Sequence, residues 1–233
     1  MNIPENIEYF NAHSHCLNFS QNVLTVVNLF PENAKPIINN IRLQNIFFSV
    51  GLHPWFMKNK EDATEKINEI KILAENTKIS AIGECGIDKI KKTQSLEIQT
   101  KYFIEQAKIA EQHKKPLIIH SVKANSEIIS LRKTLHPKNI WIIHGFCGNT
   151  TEAEQFIKND FFLSLGPRFI KNEKNNDTIN QIPSNAILLE NDDSGHDICD
   201  IYEMVARLKK TDTETIKKII CANFAKIFSL NSS

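Results

Sequence analysis

Residues 117–144 read LIIHSVKANSEIISLRKTLHPKNIWIIH. Two short apolar runs, Leu117–His120 and Trp141–His144, each end in a histidine, and between them Asn125–Leu135 has the length and spacing of a helix. Strand, helix and strand within about thirty residues is a βαβ unit, in which the two strands must run parallel. Neither run alternates apolar with polar, as expected of strands covered on both faces.

The same alternation extends in both directions. Further candidate strands are Glu8–Ala12, Leu24–Leu29, Phe47–Gly51, Ser80–Glu84, Phe161–Leu165 and Ala186–Glu190. Amphipathic stretches at Asp62–Glu75, Leu96–His113, Thr151–Asn159, Ile198–Lys209 and Thr213–Leu230 read as helices, and the Asn/Lys-rich stretch Lys171–Asn180 as a surface loop or short helix. Eight strands each followed by a helix or connector predict an α/β fold of the (β/α)8 TIM-like barrel type, as a single domain over residues 1–233. The rival, a doubly wound open sheet, normally carries a glycine-rich phosphate loop after its first strand. With glycine at 7 positions and no GxGxxG, that signature is missing.

Composition narrows the function classes. Hydrophobic residues are 41% and charged residues 24%, the balance of a folded chain, and a net charge of +1 excludes a DNA-coating protein without excluding a local phosphate patch. The five cysteines never form a CxxC pair, which favours reduced thiols over a disulfide framework or a thiolate zinc site. With neither a signal-peptide pattern nor a membrane-length apolar run, the expectation is a cytoplasmic protein with no membrane association. No protein partner is indicated.

The chemistry is read from where ligand-type residues fall. His13 and His15 follow the first strand, Glu84 ends the fourth, His120 the fifth and His144 the sixth, and Asp192 lies just past the eighth. In a barrel the carboxyl ends of all strands open on one face, where barrel enzymes build their sites. In extended backbone residues i and i+2 point the same way, so His13 and His15 can reach one ion while Ser14 turns away. Three or more imidazoles with carboxylates suit one or two divalent ions. Glu84 is the natural bridge between two ions, and Asp192 the natural ligand and general base.

At this point the motifs NAHSHC, GLHP, IGECGID, PLIIHSVKA, IIHGFCGN, LLENDDSG and NFAKIF, in that order from Asn11 to Phe228, resemble those of TatD-like metal-dependent hydrolases of the amidohydrolase superfamily. The resemblance implies a TIM-like barrel, divalent-metal dependence and ester hydrolysis, typically of DNA. It maps the family's metal ligands onto His13, His15, Glu84, His120, His144 and Asp192. Departures fall beside these positions. Val122 and Lys123 stand where the strand-five motif usually carries an arginine, Trp55 replaces the second histidine of HPH, Asn191 interrupts the usual ETD, and Lys89 the usual GLDY.

Several neighbours carry a second reading. His53 is a substrate contact or a turn histidine, and Glu190 would orient a ligand rather than bind metal. Asp88 would support a ligand or cap the following turn, and its type and position favour the cap. Arg168, Lys123 and the run Lys89, Lys91 and Lys92 are cations available to a polyanion, or simply solvated charges. Cys85 and Cys147 fit small packing residues. The leading function is therefore a divalent-metal deoxyribonuclease with DNA as substrate and Zn, Mg, Mn or Ni as the ion. One alternative is an amidohydrolase or lactonase acting on C–N or carboxylic ester bonds of a small molecule; another is a non-catalytic metal-binding protein. Glu84 stands where a carbamylated-lysine bridge would need lysine, which favours the first.

Overall fold

The computed structural model describes residues 3–4, 6–17, 20–91 and 93–229. Lys92 and the expected helix end at Leu230 lie outside them. The strands are β1 (Tyr9–Ser14), β2 (Val23–Leu29), β3 (Ile46–Val50), β4 (Ile79–Asp88), β5 (Leu117–Val122), β6 (Trp141–Ile143), β7 (Phe161–Leu165) and β8 (Ile187–Leu189). They join in one eight-stranded sheet in the order β1 to β8. A parallel bridge from Ser14 to Asp192 links β1 to the residues just after β8. The architecture is the (β/α)8 barrel read from the sequence.

Contacts gather the chain into two compact units, the first Met1–Val27, Gln44–Ile46 and His144–Ser233, the second Asn28–Leu43 and Phe47–Ile143. In the first, β1 pairs with β2 and β7 with β8, all parallel. Its helices are α5 (Thr150–Lys158), α6 (Pro167–Ile170), α7 (Asn176–Gln181), α8 (Ile198–Leu208) and α9 (Thr213–Phe228). Tyr202 of α8 clamps β1, its hydroxyl lying 2.9 Å from Phe10 N and 3.0 Å from Phe10 O. Asn223 of α9 donates to the carbonyls of Ser184 and Ile187 and so ties α9 to the start of β8. Lys209 donates to Ile179 O and Ile182 O, carbonyls left open where α7 ends.

In the second unit β3 pairs with β4, β4 with β5 and β5 with β6, all parallel. Its helices are α1 (Pro31–Asn40), α2 (Lys60–Leu73), α3 (Leu96–Gln112) and α4 (Asn125–Leu135). Asn59 and Ser95 cap the first turns of α2 and α3 through their side chains. The sequence reading had no helix at α1. Pro31 at its first position favours a start, but Pro36 inside it removes a ladder hydrogen bond and hides the helical signal.

Two glutamines of α3 act as extra strand segments. Gln106 accepts from Leu52 N at 2.7 Å and donates to Leu52 O at 3.2 Å. Gln99 does the same for Asp88, at 2.8 and 3.1 Å. A primary amide matches a peptide in donor and acceptor, so each side chain satisfies a buried backbone residue completely. Lys115 repeats the device seen at Lys209, donating to Ala74 O and Asn76 O at the end of α2.

Candidate metal centre

Within the first unit, β1 carries His13 fully buried and the following residue His15 exposed. Their Nε2 atoms lie 3.2 Å apart, so the pair does share one direction. Ser14 turns the other way, its Oγ donating to Asp192 O at 3.3 Å. Asp192 sits beyond β8 with a left-handed φ of 52°, a conformation that costs a non-glycine residue energy and recurs at functional sites. It is held there by Asp192 N donating to His13 O, and by His15 N donating to Asp192 O. Asn11 and Asn191 reinforce the junction, since Asn11 Nδ2 donates to Asn191 Oδ1 and Asn191 N to Asn11 Oδ1. The result brings Asp192 Oδ1 to 3.5 Å from His15 Nε2 and 3.7 Å from His13 Nε2.

His144 follows β6, and its ring lies 4.0 Å from that of His13, centroid to centroid. His13, His144 and Asp192 each offer a ligand atom, all within 4.8 Å of one another. Behind them Glu190, wholly buried, meets His144 Nδ1 at 2.8 Å and accepts from Gly145 N at 2.9 Å. Burial acts to raise this carboxyl. The charge and hydrogen bond of His144 and the charge of His13 outweigh it, and the group lies below the ordinary carboxylate value. Glu190 orients a ligand-type imidazole, in keeping with the reading from the sequence.

Within the second unit the corresponding set is His53, Glu84 and His120, again with ligand atoms within 4.8 Å. Glu84 lies inside β4 rather than at its end, because β4 continues to Asp88. Gly83 gives it access. A Cβ at Gly83 would stand 2.4 Å from Ile118 O, so only glycine permits this approach of β4 to β5. Asn28 of β2 accepts from Glu84 N at 2.6 Å and from Ser49 Oγ at 3.1 Å. Glu84 Oε1 is then 2.9 Å from His120 Nδ1 and 3.2 Å from His53 Nε2.

His53 Nδ1 accepts from Trp55 N at 3.1 Å, so its hydrogen resides on Nε2 and points at Glu84. In that state His53 is a donor and not a ligand. Asp88 both caps a turn and supports the set. Its Oδ1 accepts from Ile90 N and Lys91 N, both at 2.8 Å. Its Oδ2 accepts from Trp55 Nε1 at 2.7 Å and lies 3.3 Å from His120 Nε2. Burial would raise this carboxyl, but the donors from Lys91, Trp55, Ile90 and His120 prevail and hold it below the ordinary value.

The cations and cysteines named from the sequence differ in their surroundings. Arg168, on α6 of the first unit, is exposed. In the second unit Lys123 is exposed with a left-handed φ of 54°, Lys89 is paired to Glu127 at 2.5 Å, and Lys91 lies over the Trp55 ring at 3.8 Å. Cys85 is a buried packing residue whose thiol is pushed well up, by burial first and then by Glu84, whereas Cys147 is exposed. Asn28, Gln99 and Gln106 were not singled out in the sequence. Their signal was available, as polar residues on otherwise apolar strand and helix faces.

Comparisons with known proteins identify the family. The family model described as TatD related DNase matches residues 11–229. An uncharacterized metal-dependent hydrolase of Buchnera aphidicola is 29% identical, over 98% of this chain and 94% of its own length. Deoxyribonuclease Tat-D of Schizosaccharomyces pombe is 25% identical over 81% of this chain and 64% of its own. Among solved structures the TatD homologue YjjV of Escherichia coli K12 superposes with a TM-score of 0.84 at 21% identity, covering 97% of this chain and all of that one. The fold and the near-complete match of the family model place the chain in one family: it belongs to the TatD related DNases.

Proposed function

We propose that this hydrolase cleaves phosphodiester bonds of DNA, using one or two divalent ions held by His13, His15, Glu84, His120, His144 and Asp192. The observation that carries the reading is the match of the family model over residues 11–229, in a chain that retains a histidine–carboxylate set in each unit. As a member of that family, the chain is a metal-dependent hydrolase. No described helix is long and apolar enough to cross a membrane, and we assign the enzyme to the cytoplasm.

The imidazole nitrogens and carboxylate oxygens fit a borderline or hard divalent ion, with Zn or Ni favoured by affinity and Mg or Mn by the hydrolysis of phosphate esters. Such an ion, when bound, supplies Lewis acidity that acidifies water and offsets charge on a phosphoryl oxygen. The chain's own residues do the rest. Asp192, whose side chain is 35% exposed, accepts the proton of the attacking water. Glu84 would contribute its charge as a ligand, and His53 donates from Nε2. Arg168 and Lys123 hold the polyanion.

A metal-by-substrate matrix tests the reading, using single- and double-stranded DNA, RNA, a generic phosphodiester and a neutral carboxylic ester. DNA cleavage that needs an added divalent ion and is abolished by chelator is the expected outcome. Turnover of the neutral ester with no phosphodiester cleaved would shift the chain to the amidohydrolase or lactonase class.

A further inference from the structure

Trp55 lies in the 3-10 turn Pro54–Phe56, and the residue is 36% exposed although His53 and Pro54 beside it are buried. An exposed aromatic residue alone is ordinary. This one is fixed in orientation, because its indole N–H donates to the ionised Asp88 at 2.7 Å. Its ring stands nearly perpendicular to the rings of His53 and His120, at 5.0 and 5.5 Å between centroids. The Lys91 ammonium rests 3.8 Å from the ring centroid, while Lys91 N–H is bound to the same Asp88. Lys91 is itself exposed, so the group that covers this ring face lies at the surface.

We propose that Trp55 and Lys91 form a nucleotide subsite beside the His53–Glu84–His120 set. A nucleobase stacks on the indole face in place of the ammonium, and Lys91 turns to the adjoining phosphate. The proposal rests on the phosphodiester reading above and adds the group that holds the nucleotide next to the cleaved bond. Every base has a π-face, so the subsite recognises a base without reading its sequence.

Fluorescence reads the subsite directly, because the chain has two tryptophans and the other, Trp141, is wholly buried. Metal-loaded protein is titrated with a deoxynucleoside 5′-monophosphate and with deoxyribose 5-phosphate, which has the phosphate but no base. The nucleotide quenches emission and binds about 5-fold or more tighter than the sugar phosphate, which leaves emission unchanged. Trp55→Leu brings the two affinities together, and Trp55→Phe, which keeps a ring but loses the N–H, retains most of the difference. Lys91→Ala weakens both ligands. In hydrolysis, an oligonucleotide lacking the base next to the cleaved bond has a raised KM with wild type and not with Trp55→Leu. Equal affinity for nucleotide and sugar phosphate, or a base preference that survives Trp55→Leu, overturns the subsite. DNA cleavage indifferent to the missing base removes the subsite alone. Base-dependent quenching in a protein that cleaves no phosphodiester keeps the subsite and removes the reaction.

Discussion

The two histidine–carboxylate sets are built from the same residue types and differ in how their carboxylates are held. In the first unit Asp192 follows a strand, adopts a left-handed backbone and leaves its side chain 35% exposed. In the second Glu84 is embedded in β4, its side chain only 5% exposed, with its backbone N–H fixed by Asn28. Each set is backed by a second, buried carboxylate, Glu190 behind His144 and Asp88 behind His120. An exposed carboxylate can exchange protons with water and substrate, whereas a buried one mainly contributes fixed charge. The difference fits the proposed roles, proton transfer at Asp192 and fixed charge at Glu84.

The strongest way to break that assignment is to neutralise each carboxylate in turn. Asp192→Asn should lower turnover by about 10²–10⁴-fold and also cost bound metal, since a base and a ligand charge are lost together. Glu84→Gln should lower turnover and metal content together. Steady-state kinetics alongside elemental analysis checks both, and Asp192→Asn activity within a few-fold of wild type would move the base elsewhere. Removing the imidazoles sharpens the comparison further. His13→Ala/His15→Ala should cost metal in protein never exposed to chelator, and unchanged content would exclude the first set as ligands.

A smaller effect is expected from the backing carboxylates. Asp88→Asn and Glu190→Gln should each weaken metal affinity or activity by about 10–100-fold. They also carry a pH signature. Both carboxyls lie below their ordinary values of 3.8 and 4.5, so the stability they contribute is complete above those values and is lost as pH falls through the lower folded-state values. Wild type should therefore lose Tm more steeply on acidification than either variant, and parallel acid limbs would show that the carboxylates give no net stabilisation.

The smallest expected effect compares Lys115 and Lys209, which fill the carbonyl ends of α2 and α7. Burial lowers both ammonium groups, Lys115 from 10.5 to about 8. A lysine lowered on folding penalises the fold wherever both states are protonated, and the penalty fades as pH rises from about 8 toward 10.5. Wild type should gain stability relative to Lys115→Met across that window. A constant difference between the two denaturation profiles from pH 8 to 10 would contradict it.

Much of this was legible in the sequence, for physical reasons that differ by residue. Apolar runs such as Leu117–Ile119 and Trp141–Ile143 show a strand buried on both faces in any context. The ligand-type residues ending or following such runs showed the site. β4 was read too short, because Cys85, Gly86 and Ile87 beyond Glu84 mix small and apolar types that also suit a loop. That Asp88 does both, capping the turn and supporting His120, was hidden, because its Trp55 and His120 partners are about 30 residues away in sequence. The left-handed backbone of Asp192 is fixed by hydrogen bonds to β1, which no local pattern reports.

The paired glutamines of α3 bear on which sequence changes this chain can accept. Gln106 holds Leu52, next to His53, and Gln99 holds Asp88, so one rigid helix sets the spacing between the His53 turn and the end of β4. Substitutions elsewhere on α3 leave that spacing intact. A single-residue insertion or deletion between Gln99 and Gln106 would rotate one amide by about 100° relative to the other and release one of the two clamps. Length variation among relatives should therefore collect in the loops flanking α3 and spare the two turns between its glutamines.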